Sequence, residues 1–153
     1  MAVMRGLVLL FLVFSVENAA DCIAEDCSFG WTPFGVECFK FFSQTVDWVR
    51  AEKNCQSLDA NLASVHSKAQ NEFLMSLVPV NTRVWIGGHD AEMEQQWLWT
   101  DGSQFDYTNW CKTEPNNNQG NEHCLEINLT DKRCWNDHTC TFTKGYICAR
   151  DHR

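Results

Sequence analysis

Nine cysteines, all between Cys22 and Cys148, constrain this chain more than any other feature. They follow an N-terminal stretch, "MAVMRGLVLLFLVFSVENAA", with one basic residue (Arg5), an apolar run from Gly6 to Phe14, and small residues at Ala19 and Ala20. This is the pattern of a secretory signal peptide, expected to end at residue 20, and its apolar core is too short to span a bilayer. The compartment it implies is oxidising, so the cysteines read as disulfides rather than as metal thiolates or nucleophiles. Eight of them can pair in about a hundred ways, and the odd one is left free or joins a second chain. Residues 21–153 make one domain by size. No later stretch could cross a membrane, and the expected product is secreted.

The formal charge of −8 argues against nucleic acid as a partner. Its distribution is uneven. Residues 90–137 hold ten Asp/Glu and three Lys/Arg, so most of the excess sits in one stretch. A generally acidic, soluble surface would account for some of this. Local crowding of like charges is costly unless a cation offsets it, and outside the cell calcium is the obvious one.

The chain has no internal repeat, low-complexity segment or linker. "CSFGWTPFGVECFKFF" carries turn residues Gly30, Pro33 and Gly35 between apolar ends, as a hairpin would. Thr45 to Leu58 places Trp48, Ala51, Cys55 and Leu58 at helical spacing, with Thr45 as N-cap. Ser67 to Val78 predicts a second helix. Ser67 and Gln70 fit a capping box, and Ala69, Phe73 and Leu77 mark the inner face. After Pro79 the character changes to short strands ("RVWIGG", "QWLWT", "CLEINL", "GYICAR") between polar runs. Two helices followed by a β-rich, loop-rich half make an α+β plan. Trp85, Trp97 and Trp99 fall inside strand patterns and are expected in the core.

"TEPNNNQGNEHC", from Thr113 to Cys124, gathers two glutamates, four asparagines and a glutamine where nothing can build a core. Turn formation would explain the Asn and Gly content alone. Calcium, however, takes about six to eight oxygen ligands, and this loop is rich in them. Glu114 and Asn116 offer a carboxylate and an amide around Pro115, which marks a fixed turn with a cis bond as one form of it. Glu122 follows beyond the Asn/Gly loop, and "CWND" adds Asn136 and Asp137. Three carboxylates and two amides face the ion with a charge of −3. With an Asp137 backbone oxygen they fill about six positions and leave room for outside ligands. Cys124, Cys134 and Cys140 bracket these fragments, so disulfides can pin them together.

From Cys27 to Arg150 the chain resembles a C-type lectin domain of the small secreted kind found among fish lectins. "WIGG" at Trp85–Gly88 is similar to the family's WIGL motif, with Gly88 in place of leucine. "EPN", the glutamate two before Cys124, "WND" and the closing "GYIC" match in order and spacing. After the leader at 1–20 and a short segment 21–26, the resemblance implies a lectin domain at 27–150. It implies a primary calcium held by Glu114, Asn116, Glu122, Asn136 and Asp137, the same residues that bind sugar. Two adjacent hydroxyls would coordinate the ion and hydrogen-bond its ligands, and EPN goes with mannose, fucose and N-acetylglucosamine. A weaker auxiliary calcium site would draw on Asp90, Glu94, Asn117 and Glu122, with Asn117 where a carboxylate is common. The family's disulfides correspond to Cys27–Cys38, Cys55–Cys148 and Cys124–Cys140. Cys111 and Cys134 are additional, and a bridge between them would clamp both halves of the site. Cys22 is left over and is expected to link a homo-oligomer.

The expected function is secreted, calcium-dependent recognition of mannose-type glycans, such as those of microbial surfaces, in innate immunity. Type II antifreeze proteins share the fold and are the alternative, with Thr139, Thr141 and Thr143 on alternate residues as a candidate ice face. An enzyme is not expected: the five histidines (His66, His89, His123, His138, His152) fall in no Ser/His/Asp order, HExxH or paired-acid context. Zinc held by His123, His138 and nearby cysteines is disfavoured, because those sulfurs read as oxidised. "NLT" makes Asn128 the one N-glycosylation sequon.

Overall fold

The computed structural model describes residues 27–152. The leader, the 20/21 boundary, residues 21–26 and Cys22 lie outside these described residues. The N-terminal hairpin forms β1 (Thr32–Phe34) and β2 (Glu37–Val46), joined at Gly35, whose φ of +62° suits glycine. The described sheet continues with β3 (Asn61–Leu62), β4 (Val84–His89), β5 (Leu98–Trp99), β6 (Cys124–Leu129), β7 (Cys134–His138) and β8 (Lys144–Asp151). Its order is β1-β2-β8-β4-β6-β7, with β3 on β8 and β5 on β4. The β4–β8 pair is parallel and the others are antiparallel. The two ends of the domain thus meet side by side, with Phe39 opposite Ala149.

Helix α1 is Trp48–Gln56, shorter than expected. Strand β2 runs through Thr45, so Asp47 is the N-cap instead, accepting from the Arg50 amide at 2.9 Å. Leu58 falls past the helix and is exposed. Helix α2 is Lys68–Leu77, and Ser67 Oγ does accept from the Gln70 amide at 3.1 Å. Its buried face is turned one position from the expected one: Ala69 is exposed, Phe73 and Leu77 are half-buried, and Gln70, Asn71, Leu74 and Met75 are buried. The two polar residues go inside because each has partners. Gln70 accepts from the His66 amide and donates to Glu37, while Asn71 Oδ1 accepts from Trp135 Nε1 at 2.8 Å.

One apolar cluster under α2 joins Phe39, Leu74, Ile86, Trp99, Ile127 and Trp135; a second, under α1, includes Ala51, Leu62, Trp85 and Tyr146. Trp97 only flanks the first cluster. A Cβ at Gly88 would lie 2.6 Å from Leu125 Cδ1, so Leu125 fills the space that a leucine at position 88 would need. Four bridges lie among the described residues: Cys27–Cys38, Cys55–Cys148, Cys124–Cys140 and Cys111–Cys134. Cys55–Cys148 ties α1 to β8, and Cys111–Cys134 ties the long loop to the start of β7.

Candidate functional site

"WND" lies on β7, a strand that no apolar alternation in the sequence marks. Trp135 anchors it. The ring is fully buried, edge-on to Trp99, Tyr107 and Trp110 at 5.7–5.8 Å between centroids. The long loop lies along β7 as a partial strand. The Trp135 amide donates to Asn109 O at 2.8 Å, and the Cys111 amide donates to Trp135 O at 2.9 Å. The Cys111–Cys134 bridge closes the same junction, so "EPN" and "WND" start from one fixed point.

From there the loop turns back on Asp137. The Glu114–Pro115 bond is cis. Asp137 is buried and accepts from the amides of Asn116 at 3.1 Å and Asn117 at 2.7 Å. Asn116 Nδ2 donates to Glu114 Oε1 at 3.0 Å. A tight turn at Asn118–Gly120, entered through a left-handed Asn117 (φ 44°), returns the chain to Glu122. That carboxylate accepts from the Asn118 amide at 2.9 Å.

The result is a concentration of uncompensated negative charge. The Glu114 carboxyl is pushed up to about 7, first by burial, then by the adjacent Asp137 carboxylate, then by Glu122, against the opposing Asn116 hydrogen bond. Glu114 Oε2 is buried without a hydrogen-bond partner. A buried, unpaired carboxylate oxygen beside two more carboxylates is costly unless a proton or a cation satisfies it. The donor set is all oxygen, as a hard cation requires, so these residues fit calcium.

Asn136 is held by a residue the sequence reading missed. Glu126, fully buried on β6 opposite Asn136, accepts from Asn136 Nδ2 at 2.8 Å. Arg83 lies 3.3 Å from the same Glu126 oxygen. Lys144 Nζ sits 2.8 Å from the other oxygen, as an ion pair rather than an aligned hydrogen bond. This network fixes which end of the Asn136 carboxamide is committed, leaving its oxygen for the site. The signal in the sequence was a glutamate inside the apolar strand "CLEINL", a position that demands partners.

Asp90, Glu94 and Asn117 do come together, and His123 joins them. His123 Nδ1 is 3.0 Å from Asp90 Oδ1 and 3.6 Å from Glu94 Oε2. Asn117 turns its nitrogen to Glu94 Oε2 at 2.7 Å, because its oxygen accepts from the Glu122 amide at 3.1 Å. It therefore offers this cluster no oxygen.

Two further sequence expectations read differently in the fold. Asn128 is 3% exposed, with φ of 73°. Its Nδ2 donates to Pro79 O and Thr82 O, and its Oδ1 accepts from Arg133 Nε at 2.8 Å. A glycan on that nitrogen would need a path to solvent that this buried bridge does not give. Thr139, Thr141 and Thr143 lie in the turn between β7 and β8, not along a strand, and so form no flat strand face.

Nor was a Ser/His/Asp line legible, yet one exists. His66 Nε2 is 3.1 Å from Ser64 Oγ and its Nδ1 is 2.8 Å from Asp106 Oδ1. Ser64 is 1% exposed and donates its proton to Asp101 Oδ2 at 2.5 Å, so the hydroxyl is a structural tie rather than a nucleophile. It borders a cleft of about 610 Å³ that shares no residue with the oxygen-rich loop.

Comparison with known proteins identifies the family of the chain. The lectin C-type domain model matches residues 44–150. Ladderlectin of Oncorhynchus mykiss is 49% identical, over 80% of this chain and 68% of its own length. The galactose-specific lectin nattectin of Thalassophryne nattereri is 36% identical, over 94% of each chain. The solved structure of herring type II antifreeze protein superposes with a TM-score of 0.79 at 34% identity, covering 83% of this chain and all of that one.

Proposed function

The chain belongs to the C-type lectin domain family, a carbohydrate-binding and non-enzymatic one, and from that premise we propose that it is a secreted, calcium-dependent lectin for mannose-type glycans. The observation that carries the reading is the unpartnered, buried Glu114 Oε2 among the carboxylates of Asp137 and Glu122. Glu114, Asn116, Glu122, Asn136 and Asp137 would hold the calcium, and the bound ion would take two adjacent sugar hydroxyls as ligands.

The chain's own part is to place acceptors and donors around those hydroxyls. The Glu114 and Glu122 carboxylates accept hydroxyl protons; the Asn116 and Asn136 amides each keep a second N–H to donate beyond the one committed to Glu114 or Glu126. A carboxylate first and an amide third in "EPN" suit the equatorial 3- and 4-hydroxyls of mannose-like sugars. Glycans of microbial surfaces present such sugars, which makes innate recognition the proposed role. Nattectin, described as galactose-specific, makes the choice of sugar the point to test.

The test is retention on immobilised mannan in calcium, challenged with EDTA and with free mannose or galactose. Release by EDTA and by mannose supports the reading; retention indifferent to EDTA overturns it. Thermal hysteresis on the same sample would instead favour ice binding.

A further inference from the structure

The cluster of Asp90, Glu94 and His123 has a chemistry different from that of the oxygen-rich loop. One ligand atom from each lies within 4.8 Å of the others. We propose that these three side chains form a second metal site, selective for a borderline divalent transition ion such as zinc and not for calcium. This site does not depend on the sugar-binding reading.

Calcium takes about six to eight oxygens and has little use for an imidazole. Here the nitrogen stands at the centre of the cluster, and Asn117 presents its N–H₂ where a hard ion would want an oxygen. One histidine and two carboxylates with positions left for water are ordinary zinc ligands. The spacing agrees. Tetrahedral bonds of about 2.0–2.1 Å put ligand atoms about 3.3 Å apart, and the distances to His123 Nδ1 are 3.0 Å from Asp90 and 3.6 Å from Glu94. On binding, the neutral imidazole carries its proton on Nε2 instead of Nδ1, and the metal takes the vacated place between Nδ1 and Asp90.

The surroundings already hold the ligands in position. Asp90 is 2% exposed; its other oxygen accepts from the Gln95 amide at 2.8 Å, and its own amide donates to His123 O at 3.2 Å. Asn117 Nδ2 donates to the Glu94 oxygen that faces His123 and so holds that carboxylate in the cluster. Such supporting hydrogen bonds orient ligands and keep the geometry once the ion enters. Among divalent ions an N/O site of this kind favours the later first-row metals. The ion would tie the end of β4 to the residue after Glu122.

The experiment is a cobalt(II) and zinc titration of the mature protein carrying Cys22→Ser, which removes the one cysteine outside the four described bridges, with calcium saturating the oxygen-rich loop. One equivalent of cobalt should give the visible d–d bands of a nitrogen/oxygen site without thiolate charge transfer, and zinc should displace it. His123→Ala and Glu94→Gln should each weaken binding by more than about 100-fold, beyond the loss of an outer partner. His152→Ala should leave it unchanged. Circular dichroism confirms that the variants fold, and Glu94→Gln is the test that survives if His123→Ala does not. Binding that persists in both variants, or cobalt displaced by excess calcium, overturns the proposal.

Discussion

Calcium affinity should fall about tenfold between pH 8 and pH 6, and Glu114 should be the cause. Without the ion, its carboxyl titrates at about 7, raised first by burial and then by Asp137 and Glu122. Calcium needs the carboxylate. With one proton competing, the fraction of sites ready to bind is about nine-tenths at pH 8, about half at pH 7 and about one-tenth at pH 6, a loss near 1.4 kcal/mol. The same group gives the calcium-free protein an opposite trend. Its folded pKa lies above the ordinary glutamate value of 4.5, so the native state binds more protons between 4.5 and about 7. The contribution to stability is fully present below about 4.5 and is lost as pH rises through about 7. Because Glu114 is half-buried and solvent screens it, that contribution is about 1–2 kcal/mol. Calorimetric calcium titrations at pH 6, 7 and 8, with thermal melts in EDTA, read both effects. Glu114→Gln should bind calcium more weakly at every pH and lose the dependence between 6 and 8. A wild-type affinity flat across that range, or an equal slope in the variant, would refute the reasoning.

Other outcomes follow from the same contacts. Exchanging donor and acceptor with Glu114→Gln and Asn116→Asp keeps the charge at −3, so calcium should still bind. Mannose affinity should fall roughly five- to 150-fold, the cost of about 1–3 kcal/mol for a mispaired group, with galactose gaining relative to mannose in paired calorimetric titrations. Glu126→Gln should lower stability by about 1–3 kcal/mol in denaturant unfolding, since Arg83 and Lys144 lose their anion. Glu126→Ala, which also removes the acceptor that orients Asn136, should weaken calcium roughly 10–100-fold. Protein secreted from eukaryotic cells should show no mass change with an endoglycosidase, given the buried Asn128, and Asn128→Ala should cost about 1–3 kcal/mol. Cys22 is expected to give a disulfide-linked dimer on non-reducing gels, abolished by Cys22→Ser.

The sequence by itself determined the α+β plan, the hairpin around Gly35, the two helices and the oxygen donors on either side of the long loop. These rest on local chemistry: turn residues, caps and apolar periodicity are written in neighbouring positions, and carboxylates or amides in a loop announce themselves. Tertiary structure decided what depends on partners distant along the chain. The buried face of α2 turned by one position because Asn71 meets Trp135 and Gln70 meets Glu37, pairs separated by 64 and 33 residues. Asn128 went inside, against its sequon, because Pro79, Thr82 and Arg133 converge on it. Glu126 became the support for Asn136 only once β6 and β7 paired, and Asn117 turned its nitrogen to Glu94 only because the Glu122 amide claimed its oxygen. A polar side chain carries the same donors and acceptors wherever it stands. Whether it faces water, an ion or another residue is set by which groups the fold brings within about 3 Å, and that no local pattern records.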